Sequence, residues 1–241
     1  MRHSAAIRHL EREIERIGAP PRERRPTVST GIEALDAVLP GGGLPRGRAV
    51  EWTGVRSCGK TALLGATLRR FRAEGESAAL IDAGRTLYAP DWVDLKAGAG
   101  RFWVVRPGKT GEAVWCADLL LRSGAFGIVV LDLSHGAPAL RRGASVRLQR
   151  LAEEAGAVFV ALGDVPVAAL RLRFRPGRIE PVRDVPFGPF LPALRPVWIR
   201  VGKGGVAEVP ILCPAATPWR SRPARDRKGP LASPPGATST S

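Results

Sequence analysis

The stretch that most restricts what this chain can fold into is GVRSCGKT at 54–61. It fits G-x-x-x-x-G-K-[ST], a pattern whose chemistry needs a strand before it and a helix after it. Glycines let backbone N–H groups close around phosphate oxygens. The lysine reaches the β- and γ-phosphates, and the hydroxyl serves Mg²⁺. Both flanks meet the requirement. Residues 48–53 (RAVEWT) set Val50 and Trp52 against polar neighbours, as a strand does. Residues 61–74 (TALLGATLRRFRAE) read as a helix, with Gly75 as its stop. The candidate nucleotide-binding residues are therefore Gly54, Arg56, Ser57, Cys58, Gly59, Lys60 and Thr61.

Downstream, apolar strands alternate with amphipathic helices. Strands are expected at 77–82, 101–106, 127–132 and 157–162, and helices at 110–122 and 138–154. That order indicates an α/β fold with a mostly parallel central sheet covered by helices on both faces. Ligands in such sheets bind beyond the carboxyl ends of the strands. Asp132, at the end of the apolar run GIVVLD, is the candidate carboxylate for holding Mg²⁺ through water, with Thr61 as the other metal-side group. Asp82 ends the strand at 77–82 and is a second acidic candidate at the same edge. Further strands at 167–174, 197–201 and 206–211, the last two joined by GKGG, predict an antiparallel extension of the sheet. The Pro- and Arg-rich stretch between 175 and 196 is expected to be a long loop.

Upstream, residues 1–17 form an expected amphipathic helix. Ile7, Leu10, Ile14 and Ile17 fall on one face, and charged residues take the other. The stripe has two readings. It packs on its own domain, or it binds a partner. Residues 18–26 read as a Pro/Arg linker, 27–213 as the folded domain, and 214–241 as a basic, Pro/Ser-rich disordered tail. In STGIE, Thr30 and Glu33 have capping-box spacing ahead of a short helix.

Composition enters where partners are concerned. The formal net charge of +15 over 241 residues favours polyanions or an acidic partner, or simply a solvated basic surface. Arg171, Arg173 and Arg175 alternate along one strand and so share a face. With Arg220, Arg222 and Arg225 of the tail they are candidate DNA contacts, and Trp198 and Trp219 are candidate stacking partners. The three cysteines, Cys58, Cys116 and Cys213, have no metal-ligand spacing, and the sequence holds no apolar run of membrane-spanning length. A cytoplasmic location is expected, with no membrane contact.

Taken together, STGIEALD, GGLPRGRAVEWTGVRSCGKTAL, AALIDAGRTL and TGEAVWCADLLLRSGAFGIVVLDL resemble the core of bacterial RecA recombinases over residues 27–163. The resemblance implies a RecA-like P-loop core with ATP and Mg²⁺ as cofactors. It also marks departures. The position of RecA's water-activating glutamate is Gly84. Its γ-phosphate-sensing glutamine is replaced by Gly163 or Asp164. The connections that would carry RecA's DNA-binding loops are short, at 134–137 and 163–166. Lys203 loosely matches a lysine that RecA uses between subunits.

A shortened RecA relative lacking those groups is similar to the ImuA family, the RecA-like accessory proteins of bacterial mutagenesis. That resemblance implies a role in error-prone translesion synthesis with no efficient ATP hydrolysis. It implies as partners RecA, met through the N-terminal helix, and ImuB, a Y-family polymerase homologue, with DNA as a further contact. Two alternatives stand beside it. One is a DNA-stimulated ATPase using Asp82 or Asp164 to position water, and the other is a DNA-binding module with a relic phosphate loop.

Overall fold

A computed structural model describes residues 5–17, 27–88, 92, 95, 100–134, 139–178, 180–181, 193–202 and 205–213. The linker at 18–26, His135, Lys203 and the tail from 214, with Trp219, Arg220, Arg222 and Arg225, lie outside them. So do the side chains of Ile17 and Cys213.

The chain builds one large sheet. Its strands are β3 (Ala49–Gly54), β4 (Ala78–Asp82), β5 (Phe102–Val105), β6 (Ile128–Asp132), β7 (Val158–Leu162), β8 (Leu170–Pro176), β9 (Glu180–Pro181), β10 (Ala193–Val201) and β11 (Val206–Cys213). Across the sheet the order is β11-β10-β8-β3-β7-β6-β4-β5, with β9 paired to β10. The strands from β8 to β5 are mutually parallel, and β10 and β11 are antiparallel. Before it, β1 (Thr27–Val28) and β2 (Leu44–Pro45) form a small antiparallel pair.

Two cores flank the sheet. On one face, Val50, Trp52, Leu80, Val130 and Val160 pack with α3 (Lys60–Ala73) and the segment holding α2 (Glu33–Asp36). On the other, Ala49, Ile81, Val129, Leu131 and Phe159 pack with α4 (Ala113–Arg122) and α5 (Arg142–Ala155). The β strands between helices are apolar on both sides because both sides are covered, the signature of a parallel sheet. Asp118 on α4 is buried and joins the two helices, pairing with Arg122 at 2.7 Å and Arg147 at 2.5 Å.

Several sequence-based expectations are corrected. The Thr30/Glu33 capping box does not form. The α2 N-cap residue is Ile32 and has no side-chain cap, whereas the Thr30 hydroxyl donates to Asp36 Oδ1 at 2.7 Å and Ser29 to Oδ2 at 2.6 Å. A carboxylate one turn into the short helix outcompetes the expected reciprocal bond. The helix expected from 138 starts at Arg142. The strand expected in the antiparallel set, β8, is parallel to β3 on one side and antiparallel to β10 on the other. Part of the expected 175–196 loop is strand, since β8 runs to Pro176 and β9 pairs with the start of β10.

The N-terminal helix α1 (Ala5–Ile17) spends its stripe within the chain. Ile7 and Leu10 are buried in the core formed with α4 and α5, and Ile14 packs against it half-buried. These three residues are thus the chain's own packing surface here, where the partner-binding reading would leave them free.

Candidate functional site

The loop from β3 to α3 has the geometry its sequence demands. Gly54 ends β3 beside β8, and a Cβ there would stand 2.6 Å from the Phe174 carbonyl oxygen and 2.8 Å from Cys58 Sγ. No side chain fits. Gly59 has φ +90°, in the left-handed region, and directly precedes α3, leaving the first helical N–H groups without a side-chain cap. Such a helix start is an anion site in waiting. Beneath the loop, Trp52 and Phe174 meet with ring centroids 5.0 Å apart and fasten β8 to β3. Cys58 is buried at the turn, while Arg56, Ser57 and Thr61 are exposed.

A cleft of about 340 Å³ opens beside this loop at the carboxyl end of the sheet. Thr53, Gly54 and Lys60 line one side, with Leu133, Ser134, Leu162, Gly163 and Asp164 on the other. Asp132 ends β6 next to that wall, where its Oδ1 accepts the Ser134 N–H at 2.8 Å. The other oxygen is not used by this bond. Among the described residues no cluster of three or more His, Cys, Asp or Glu side chains could hold a metal unaided. The donor set of one hydroxyl and one carboxylate fits a Mg²⁺ ion that arrives with phosphates and keeps most of its waters.

Asp82, one strand over and in register with Asp132, is held by its neighbours. It is buried, accepts the Thr86 and Leu87 N–H groups at 2.9 and 3.2 Å, and pairs with Arg106 Nε at 3.0 Å. It organises the turn after β4. Gly84 lies in that turn, next to Arg85, whose φ is +53°. Asp164 is exposed on the cleft wall. Glu112, at the start of α4, accepts the Lys109 N–H at 3.4 Å, as a group at a helix N-terminus does.

Three of the candidate DNA contacts share one exposed face of the sheet. Arg171, Arg173 and Arg175 are exposed along β8, alternating with buried Leu170, Leu172 and Phe174. β10 adds Trp198 opposite Arg175 and Arg200 opposite Arg173. Trp198 is 44% exposed, so it belongs to the surface and not to the core. Glu208 on β11 stands opposite Trp198. This face of β8, β10 and β11 has no helix over it among the described residues. On α5, Arg147 pairs with Asp118 and Arg150 with Glu154 at 3.3 Å.

Sequence reasoning missed Glu51. It is 7% exposed in the middle of β3, and its Oε2 accepts the Val165 N–H at 2.7 Å. Only its place between Val50 and Trp52, in a strand apolar on both faces, hinted at burial.

None of the described helices is long and apolar enough to cross a membrane. The chain matches the RecA N-terminal domain over residues 6–143. It is 35% identical over 133 residues to protein RecA of Marinobacter nauticus, a match covering 53% of this chain and 38% of that protein. Against protein RecA of Nocardia farcinica it is 39% identical over 120 residues, covering 49% and 34%. For protein RecA of Mycobacterium tuberculosis the figures are 39% over 120 residues, covering 49% and 15%. The chain thus aligns with well under half the length of these relatives. The matched domain holds the phosphate loop, Gly84 and Asp132 and takes up more than half of this sequence, so the chain belongs to the RecA N-terminal domain family.

Proposed function

We propose that this chain is a RecA-like accessory protein of the bacterial DNA damage response that holds Mg²⁺ and ATP but hydrolyses ATP poorly. The observation that carries the reading is the composition of the cleft. Lys60 on the cleft wall, with Thr61 next to it on α3 and Asp132 at the end of β6, supplies what binding a nucleotide requires. The water-activating side is poor, because position 84 is glycine, Gly163 has no side chain and Asp82 is consumed by the turn after β4. Phosphoryl transfer rests on positioning of the attacking water, so a cleft whose lining, among the described residues, offers Asp164 as its one carboxylate turns its ligand over slowly.

In this reading the protein acts by being present at damaged DNA, in the manner of the ImuA family. It supports error-prone translesion synthesis together with RecA and an ImuB-like Y-family polymerase homologue. The exposed arginines of β8 and Trp198 contact single-stranded DNA. Meeting RecA through the α1 stripe would require Ile7 and Leu10 to leave their own core.

The test is ATP binding and turnover by the full chain, with and without single-stranded DNA. Wild type is expected to bind Mg-ATP and Lys60→Ala to lose it, with turnover by both at background. Turnover that vanishes in Lys60→Ala would overturn the reading in favour of a DNA-stimulated ATPase. Asp164, the carboxylate exposed on the cleft wall, would then be the residue to substitute. Absence of nucleotide binding by wild type would leave a DNA-binding module with a relic loop.

A further inference from the structure

Glu51 has no part in the cleft as described, yet a buried carboxylate persists only where its oxygens are satisfied. Its Oε2 accepts the Val165 N–H at 2.7 Å, and Arg171 Nε lies 3.5 Å from the same oxygen. Arg171 Nη2 in turn donates to the Val165 carbonyl oxygen at 3.4 Å. The Val165 backbone is therefore bracketed, its N–H by Glu51 and its C=O by Arg171, two residues in register on neighbouring strands. Val165 directly follows Gly163 and Asp164, which line the nucleotide cleft. Arg171 opens the exposed arginine row. One cluster touches both surfaces.

We infer that Glu51 is a positioning residue that ties Arg171 to the cleft wall. The open face then presents its arginine row with the first cation withheld. A phosphate strand that recruits Arg171 removes one of the two bonds on the Val165 backbone and loosens the wall. The Arg171 side chain is 54% exposed, so phosphate reaches it from the solvent side while Glu51 holds it from below. Strand binding and nucleotide binding are then linked, and the linkage is reciprocal: each weakens the other. This inference rests on reading the open face as a nucleic-acid surface.

The experiment titrates fluorescein-labelled oligo(dT) with the full chain over a range of KCl, with and without Mg-ATP. Wild type, Glu51→Gln, Glu208→Gln and the double variant Glu51→Gln/Arg171→Gln are compared. Glutamine keeps an acceptor for the Val165 N–H and drops the charge. Glu208→Gln makes the same charge change at an exposed site on the same face. Glu51→Gln is expected to bind about 5-fold more tightly than Glu208→Gln and to lose the weakening by Mg-ATP expected of wild type. Its salt slope should steepen by about one phosphate contact. Adding Arg171→Gln should erase the gain. Glu51→Gln matching Glu208→Gln in affinity and slope would overturn the inference. Should no variant bind oligo(dT) even at low salt, the nucleic-acid reading of the face falls. The tie is then decided by hydrogen exchange at the Val165 amide in Arg171→Gln: faster exchange supports it, and exchange equal to wild type overturns it.

Discussion

The two halves of the sheet follow different rules. From β3 across β7 and β6 to β4 every strand is covered twice, and its residues are apolar on both sides apart from Glu51, Thr53 and the aspartates at strand ends. From β8 to β11 the sheet is covered once, and its residues alternate between core and solvent. The first half can vary its surface only at loops and strand ends, which is where the phosphate loop, Asp132 and Asp164 sit. The second half can vary along whole strands without disturbing the core, and it carries the arginine row. The family match at 6–143 ends before β8, so the two halves also differ in how much of them the comparison with RecA covers.

That contrast is open to direct attack. The largest expected effect is on stability. Phe159 is fully buried in the doubly covered half, and Phe159→Ala should cost about 3–5 kcal/mol in chemical denaturation. Trp198→Ala, a larger truncation on the open face, should stay within about 1 kcal/mol. Equal losses would show that the open face is covered in solution. Next in size is binding. Arg173→Ala/Arg175→Ala should weaken oligo(dT) binding and lower its salt slope by about two, while leaving Mg-ATP binding and the unfolding midpoint near wild type. An unchanged slope would move the DNA contact elsewhere. The smallest effect concerns Cys116 on α4. Burial, with Glu112 nearby, pushes its thiol up from 9.0 to about 11. The thiolate is therefore scarce at pH 8, and iodoacetamide should label Cys116 far more slowly in the folded protein than in denaturant. Equal rates would mean that the α4 side of the doubly covered half opens readily.

The doubly covered half was the more legible in the sequence. Its strands are short apolar runs separated by helical spacing, and the phosphate loop fixes which strand and helix are neighbours. Strand direction in the other half was not legible. The alternation in LRLRFRP is the same whether β8 lies parallel or antiparallel to its neighbour, and the connection 163–169 is short because β8 adjoins β3 beside β7. The arginine row was legible because period two needs no knowledge of direction. Glu51 was not, since its meaning depends on Val165 and Arg171, more than a hundred residues away. Likewise, the α1 stripe announced an apolar contact but not whose surface would meet it.

β8 has one more consequence, which concerns time. It joins β3, made early in synthesis, to β10, made late, and its arginines meet Trp198 and Arg200 only when both neighbours are in place. A slip of one residue would turn Leu170, Leu172 and Phe174 outward and bury the arginines, so no partial register offers the same row. Pairings this distant along the chain form slowly and late. A ribosome-bound or truncated chain ending before β10 would show the arginines of β8 without Trp198 and Arg200 beside them. The cationic surface is in that sense a completion mark, displayed only by molecules whose sheet has closed from residue 49 to residue 201.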